Sequence, residues 1–332
     1  MNAPRTPSII RRTLSMTLRL GLVAACVVYS LWNVDVSRIL SALAAFHVLP
    51  LFISLLLAAV IFLLQGIRFR AITGPRATLA QTTMTCVLGN GLNSIFPARL
   101  GELGKALYLK RHAGIPVRES LGLIFWERFA DLNMILLLAV LASYVSGKEF
   151  FWLPLAVGLA GIWLGVAAII LFPAMRGFIP RLIPVQGLRD ICADMLAHFA
   201  AITTPAFLLR LVSLSALTWT MLAATFAYIV NEVTGLGGMA MILTVYVASS
   251  LSFLIPSSPG GLGLFEATMV FAFEWYGINK EAALTIAVLL RLTQCVPTVV
   301  IAISFLSREQ LSLKALRSAM ETMGHGGGKA GP

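Results

Sequence analysis

Six ionisable residues lie where an apolar chain has least room for them. Glu127, Arg128 and Asp131 interrupt the apolar run Leu121–Ser146, and Arg291 interrupts Ala282–Phe305. Glu102 and Glu266 each follow a hydrophobic stretch broken by Pro and Gly. A charge facing hydrocarbon costs between ~3 and ~15 kcal/mol, so each must meet a partner or a wet cavity. A helix starting near Val117 puts Arg128 about ten residues in, roughly 15 Å deep at 1.5 Å per residue, and Arg291 is similarly deep from Ala282. On such a helix Glu127 and Asp131 share a face, and Asp131 is one turn from Arg128. These charges either glue helices together as ion pairs or form a ligand site. Their number beside two broken helices favours the site, because irregular backbone at membrane depth is tolerated only inside protein or along a cavity.

The breaks have their own chemistry. Pro97 and Gly101 interrupt the first, Pro256 and Pro259 the second, and Gly260, Gly261 and Gly263 follow. Those glycines open backbone conformations closed to other residues and leave amides accessible. A helix beginning near Gly263 would offer its first amides to an anion. With Arg99, Arg128 and Arg291 nearby, the donor set suits a phosphate-bearing ligand, with Asn93, Gln294 and Ser258 as hydrogen-bonding neighbours. The alternative is that the glycines only permit close helix packing. A structure sealing both Arg128 and Arg291 in dry ion pairs would remove the ligand reading.

The elements that position these residues are membrane helices. Of 332 residues 58% are hydrophobic and 12% charged, with a mean hydropathy of +0.89. A soluble chain carries about twice that charged fraction. The net charge of +11 sits mainly in short connections between apolar runs, the pattern of positive-inside membrane proteins rather than nucleic-acid binders. Four scattered cysteines and four dispersed histidines give neither a disulfide framework nor a metal site. Val23-Ala24-Ala25-Cys26 resembles a lipoprotein processing box, but the apolar stretch continues to Trp32 and reads as an ordinary first span.

Spans of ~20 apolar residues are expected at Leu14–Trp32, Phe46–Gln65, Leu121–Ser146, Phe151–Phe172, Phe207–Val230 and Ala282–Phe305. A short amphipathic helix is expected near Leu188–Ile202. Residues 1–13 form a basic cytoplasmic N-terminus, 14–306 a single transmembrane domain, and 307–332 a polar, disordered cytoplasmic tail. Arginine and lysine counts put both termini in the cytoplasm, with Arg38, Lys148 and Lys280 outside, Arg128 and Arg291 embedded, and the other 20 cationic residues inside or at that interface. Leu79–Pro97 then has cytoplasmic basic residues on both flanks, including Arg68, Lys105 and Lys110. It reads as the first limb of a re-entrant hairpin. By the same logic Met239–Trp275 enters and leaves from the outer face. The fold class is therefore an all-α polytopic bundle of six spans and two re-entrant hairpins, or eight spans if each hairpin crosses.

Pro97-Ala98-Arg99-Leu100-Gly101 and Pro259-Gly260-Gly261-Leu262-Gly263 share the pattern P-x-x-L-G. Glu102 precedes Arg128 by 26 residues, and Glu266 precedes Arg291 by 25. With span, hairpin, span in each half (about 46–146 and 207–305), this reads as an inverted repeat, the arrangement that places transporter sites near the bilayer midplane.

Asn93-x-x-x-Pro97-x-Arg99-x-Gly101-Glu102, Glu127-Arg128-x-x-Asp131 and Pro259-Gly260-Gly261-Leu262-Gly263-x-x-Glu266 resemble the lysylphosphatidylglycerol synthase transmembrane-region family, the flippase-like domain, over roughly residues 15–306. The resemblance implies movement of lipid between leaflets. Family members fused to an aminoacyl transferase domain modify phosphatidylglycerol, but only about 25 residues follow the last span here, so lysyl transfer is not expected. No nucleophile elbow, HExxH, Walker loop or DxD-type pair is present, and neither catalysis nor a cofactor is expected. The expectation is a transporter of a phosphate-bearing lipid in the bacterial plasma membrane, its partners membrane lipids with anionic or zwitterionic head groups. A homo-oligomer or a lipid-biosynthesis enzyme is the expected protein partner. The competing readings are a membrane-embedded transferase acting on a lipid phosphate, and a non-transporting subunit of a biosynthetic complex.

Overall fold

The computed structural model describes residues 9–96, 100–147, 149–184, 203–253 and 258–308, with residues 186, 189, 192, 193 and 196 between the third and fourth of these stretches. Most of the amphipathic segment expected at Leu188–Ile202, most of the C-terminal tail, and Pro97, Arg99 and Pro256 lie outside the described residues.

Among the described residues every regular element is helical. In chain order they are α1 (Ile9–Leu31), α2 (Val36–Ala45), α3 (Val48–Thr73), α4 (Leu79–Ile95), α5 (Leu100–Ala113), α6 (Val117–Val145), α7 (Glu149–Leu171) and α8 (Pro173–Arg181). There follow α9 (Pro205–Thr234), α10 (Met239–Ser252), α11 (Leu264–Glu274), α12 (Lys280–Leu290), a π-turn (Arg291–Cys295) and α13 (Val296–Arg308). Among the described residues four continuous helical stretches are long and apolar enough to cross a membrane: Val48–Arg76, Val117–Val145, Pro205–Thr234 and Lys280–Ser307. The number among the described residues is up to six if each of two bent pairs is one span, Leu20–Leu31 with Val36–Ala45 at 75° and Leu153–Ile169 with Pro173–Arg181 at 107°. Helix α2 was not expected. Asp35 starts it, its carboxylate accepting from the Ser37 amide at 2.9 Å.

The limbs α4, α5, α10 and α11 have 17, 14, 14 and 11 residues. At 1.5 Å per residue all fall short of a hydrocarbon core of about 30 Å. They pair as antiparallel hairpins. In the first, the Gln81 amide group donates to the His112 carbonyl at 2.5 Å, joining the start of α4 to the end of α5. Near the turn the Gly101 amide donates to Asn93 Oδ1 at 2.8 Å, and any side chain on Gly101 would overlap the Gly89 carbonyl. In the second, Tyr276 beyond α11 donates to Thr244 Oγ1 on α10 at 3.0 Å, while the Phe253 and Phe265 rings meet at a tilt by the turn, 5.2 Å between centroids. Both stretches are thus helical hairpins with their outer ends side by side.

Residue contacts divide the chain into two compact units. One holds the chain up to Ile61, Leu88–Gly101 and Met221–Val300; the other holds Phe62–Val87, Glu102–Thr220 and the chain from Ile301. The core of the second packs Phe69, Ile72, Leu109, Leu123, Trp126 and Leu211. Trp126 meets Phe129 and Phe207 edge-on at 5.9 and 5.6 Å. In the first, Phe226 lies against Tyr246 and Phe273 at 5.5 and 6.3 Å. There α1 braces α11: Val23 and Val27 lie where a side chain on Gly263 would be, and Tyr29 donates to Glu274 at 2.6 Å. Because lipid is as apolar as leucine, such helices associate through close packing and polar contacts.

Candidate functional site

In the second unit the embedded charges form one network. Glu127 on α6 accepts from Lys105 Nζ at 2.7 and 3.0 Å, with Arg68 Nη2 at 3.7 Å and Arg128 Nη2 at 3.5 Å. Asp131, one turn further, holds Arg68 Nη1 at 2.7 Å, Arg128 Nη1 at 3.3 Å and the Trp219 indole N–H at 3.1 Å. Glu102 at the start of α5 lies 3.3 Å from Arg128 Nε. Three cations meet three carboxylates, so the network is neutral.

Its members differ in access. The side chains of Lys105, Arg68 and Glu127 are 1–2% exposed, whereas Arg128 is 38% exposed. One part is sealed and the other remains open. Arg68 and Lys105 were assigned on sequence to basic residues at a solvated interface; both are instead inside the protein. The physical reason for Arg68 is that α3 continues to Thr73, well beyond the expected end at Gln65. Lys105 lies on the second hairpin limb, which turns it toward Glu127, and its ammonium stands 5.6 Å from the Phe69 ring centre. A buried carboxylate demands such partners, since an unpaired charge there costs several kcal/mol.

The first unit holds a smaller counterpart. Glu266, in the first turn of α11, accepts from Arg291 Nε at 2.5 Å through Oε1 and from the Gly263 amide at 2.8 Å through Oε2. Arg291 Nη1 donates to the Gly260 carbonyl at 2.9 Å, and its guanidinium carbon lies 5.0 Å from the Phe265 ring centre. Both side chains are 18% exposed. Arg291 Nη2 is buried with no hydrogen-bond partner among the described residues. Gly260 and Gly263 have φ of 59° and 84°, which L side chains adopt at a cost. Gly260 also lies against the Ser94 backbone, so the tip of the second hairpin touches the end of α4.

The structure places the residues singled out in the sequence as follows. The spacings of 26 and 25 residues become two acid–arginine pairs, each joining a hairpin limb to the long helix that follows it. Glu102, Glu127, Arg128 and Asp131 come together, as do Gly260, Gly263, Glu266 and Arg291. Gly261 is buried beside Phe253 with φ of 66° and shapes the turn. The Gly263 amide, at the N-cap just before α11 where a ligand anion was expected, is taken by Glu266. Asn93, expected beside a ligand, caps Gly101. Ser258 donates to the Leu262 carbonyl at 2.6 Å and closes the turn behind Pro259. Gln294 sits half-buried in the π-turn, and its side chain is hydrogen-bonded to none of these groups among the described residues. Neither arginine is sealed, although both are ion-paired.

The family model for the lysylphosphatidylglycerol synthase transmembrane region matches residues 16–302, a stretch that takes in both hairpins and every charge just described. The chain belongs to this family. Two relatives are described as UPF0104 membrane proteins. That of Methanocaldococcus jannaschii is 25% identical over 207 residues, covering 60% of this chain and 86% of the relative. That of Methanothermobacter thermautotrophicus is 24% identical over 276 residues, covering 77% of this chain and 82% of the relative. Family membership and the apolar helices together make the protein an integral membrane protein.

Proposed function

We propose that the protein moves a phosphate-bearing lipid between the leaflets of the cytoplasmic membrane, with both termini on the cytoplasmic side and without covalent chemistry. The observation that carries this reading is the recurrence of one device. Each hairpin limb presents an acid to an arginine on the next long helix, at 3.3 Å in one case and 2.5 Å in the other, and both arginines keep exposed surface. Helix glue does not require access; a group that receives a head group does. The matching hairpins are consistent with an inverted repeat, in which two such elements enter from opposite faces. A lipid head group would pass at the hairpins while its acyl chains stay in the bilayer. With no nucleotide-binding motif in the sequence, we read the movement as downhill or ion-coupled.

The test is transbilayer movement of a fluorescent phospholipid in vesicles containing the purified chain, read by chemical quenching of the outer leaflet. Wild type is expected to exceed empty vesicles. Arg128→Ala and Arg291→Ala, matched for folded protein, are expected to slow movement at least ~10-fold, about 1.4 kcal/mol in the barrier. Wild-type rates in both variants would refute the reading.

A further inference from the structure

The second unit contains a cavity of about 20 Å³, room for one water-sized group. Among the described residues its walls are largely apolar, with Trp126 and Phe129 on α6, Trp163 on α7, and Leu208 and Val212 on α9. Phe129 meets Trp126 and Trp163 edge-on, at 5.9 and 6.3 Å between ring centres, which holds that wall in shape. Two polar side chains also line the cavity, Asn133 of α6 and Ser215 of α9. They are 3% and 0% exposed, and Asn133 Oδ1 and Ser215 Oγ have no hydrogen-bond partner among the described residues. Buried polar atoms in folded proteins are nearly always paired, so two left over at one cavity call for a common partner.

The unmet atoms define that partner. The Asn133 amide nitrogen donates to the Phe129 carbonyl at 2.7 Å, which identifies the free atom as the oxygen, an acceptor only. A hydroxyl inside a helix can donate to the carbonyl one turn back, as Thr218 and Thr225 do on the same helix at 2.7 and 2.9 Å. Ser215 makes no such bond, so its hydroxyl can still donate or accept. A ligand carbonyl would satisfy Ser215 and leave Asn133 unpaired. An ammonium would bring a charge into an apolar hole at high cost. One hydroxyl serves both, donating to Asn133 and accepting from Ser215. Val212 is exposed and Leu208 and Trp163 are half-buried, so the accessible edge of the cavity is apolar. On a membrane-spanning helix that edge faces hydrocarbon. Water held here would have two polar partners rather than the usual three or so. An alcohol arrives with its chain already in lipid.

We propose that this cavity is a binding site for the hydroxyl group of a membrane-borne alcohol, whose apolar chain lies along Leu208 and Val212. The site is separate from the charged network, since Glu127, Arg128 and Asp131 line no part of it among the described residues. It does not rest on the transport reading.

The probe is octanol with a photoreactive diazirine in its chain, and the control is the diazirine-bearing octane that lacks the hydroxyl. Each is irradiated with the purified full chain in lipid nanodiscs at sub-saturating concentration, and labelled residues are identified by mass spectrometry. The alcohol is expected to label Trp163, Leu208 and Val212 at least ~10-fold more than the hydrocarbon does, the effect of two hydrogen bonds. Excess unmodified octanol is expected to suppress that labelling. In Asn133→Leu/Ser215→Ala the alcohol is expected to label these residues no more than the hydrocarbon. Should that variant not fold, Ser215→Ala alone removes one oxygen and is expected to lower labelling by ~3-fold or more. Equal labelling by the two probes in wild type, the result if the cavity serves water alone, would overturn the proposal. So would alcohol labelling that persists undiminished in a folded variant, or that excess octanol does not suppress.

Discussion

The charged centre of the second unit and the acid–arginine pair of the first use the same residue types to opposite ends. Around Glu127, three cations and three carboxylates interlock, and the inner members are almost wholly buried. Around Glu266 there is one acid and one arginine, both partly open, beside a glycine turn in which Gly261 and Gly263 are buried. Buried ion pairs stabilise only when complete, because each partner's desolvation must be offset by the others. An open pair gives up less when it parts. The sealed network is therefore the part least able to give up a partner, and the smaller pair the part that loses less when it opens.

That contrast makes predictions of graded size. Glu127→Ala leaves Lys105 and Arg68 buried without their shared carboxylate and is expected to cost ~3–5 kcal/mol of stability, seen as a large drop in thermal unfolding temperature in detergent. The double variant Lys105→Met/Glu127→Leu is expected to recover most of it; no recovery would mean the network is not an electrostatic unit. Glu266→Ala is expected to cost less, ~1–2 kcal/mol, since Arg291 keeps the Gly260 carbonyl and some access to surroundings. Equal losses at Glu127 and Glu266 would erase the distinction between the sealed network and the smaller pair. Tyr29→Phe removes one exposed hydrogen bond to Glu274 at the far end of α11 and should cost under ~1 kcal/mol while leaving lipid movement unchanged. A marked transport defect there would extend the moving part of the second hairpin to its contact with α1.

Hydrophobic run length made most of the helices legible, and the Pro/Gly breaks marked both hairpins. The pairing of Glu102 with Arg128 and of Glu266 with Arg291 was readable from two nearly equal spacings. Arg68 and Lys105 were not found, because lysine and arginine near the ends of apolar runs look like interface residues. Charge balance was the missed signal: Glu102, Glu127 and Asp131 outnumber Arg99 and Arg128, the cations singled out beside them, which called for a further cation nearby. The capping of Gly263 by Glu266 was equally available, as an acid at the third position of a helix commonly reaches back to the amide of the capping residue before it. Helix α2 was hidden by its brevity, although Asp35 and Ser37 carry a helix-start pattern. The π-turn that carries Arg291 has no signal in sequence, since it depends on packing around an otherwise ordinary helix.

The central claim is that the acid–arginine pair of the second hairpin serves lipid rather than cohesion, and replacing the whole pair with apolar residues of similar size separates the two. Glu266→Leu/Arg291→Met removes both charges together, a change that folded proteins often tolerate. Transbilayer lipid movement by this variant, reconstituted at the same density as wild type and shown to be folded, is the direct measurement. The account predicts a folded protein whose lipid movement falls at least ~10-fold; movement at the wild-type rate would contradict it.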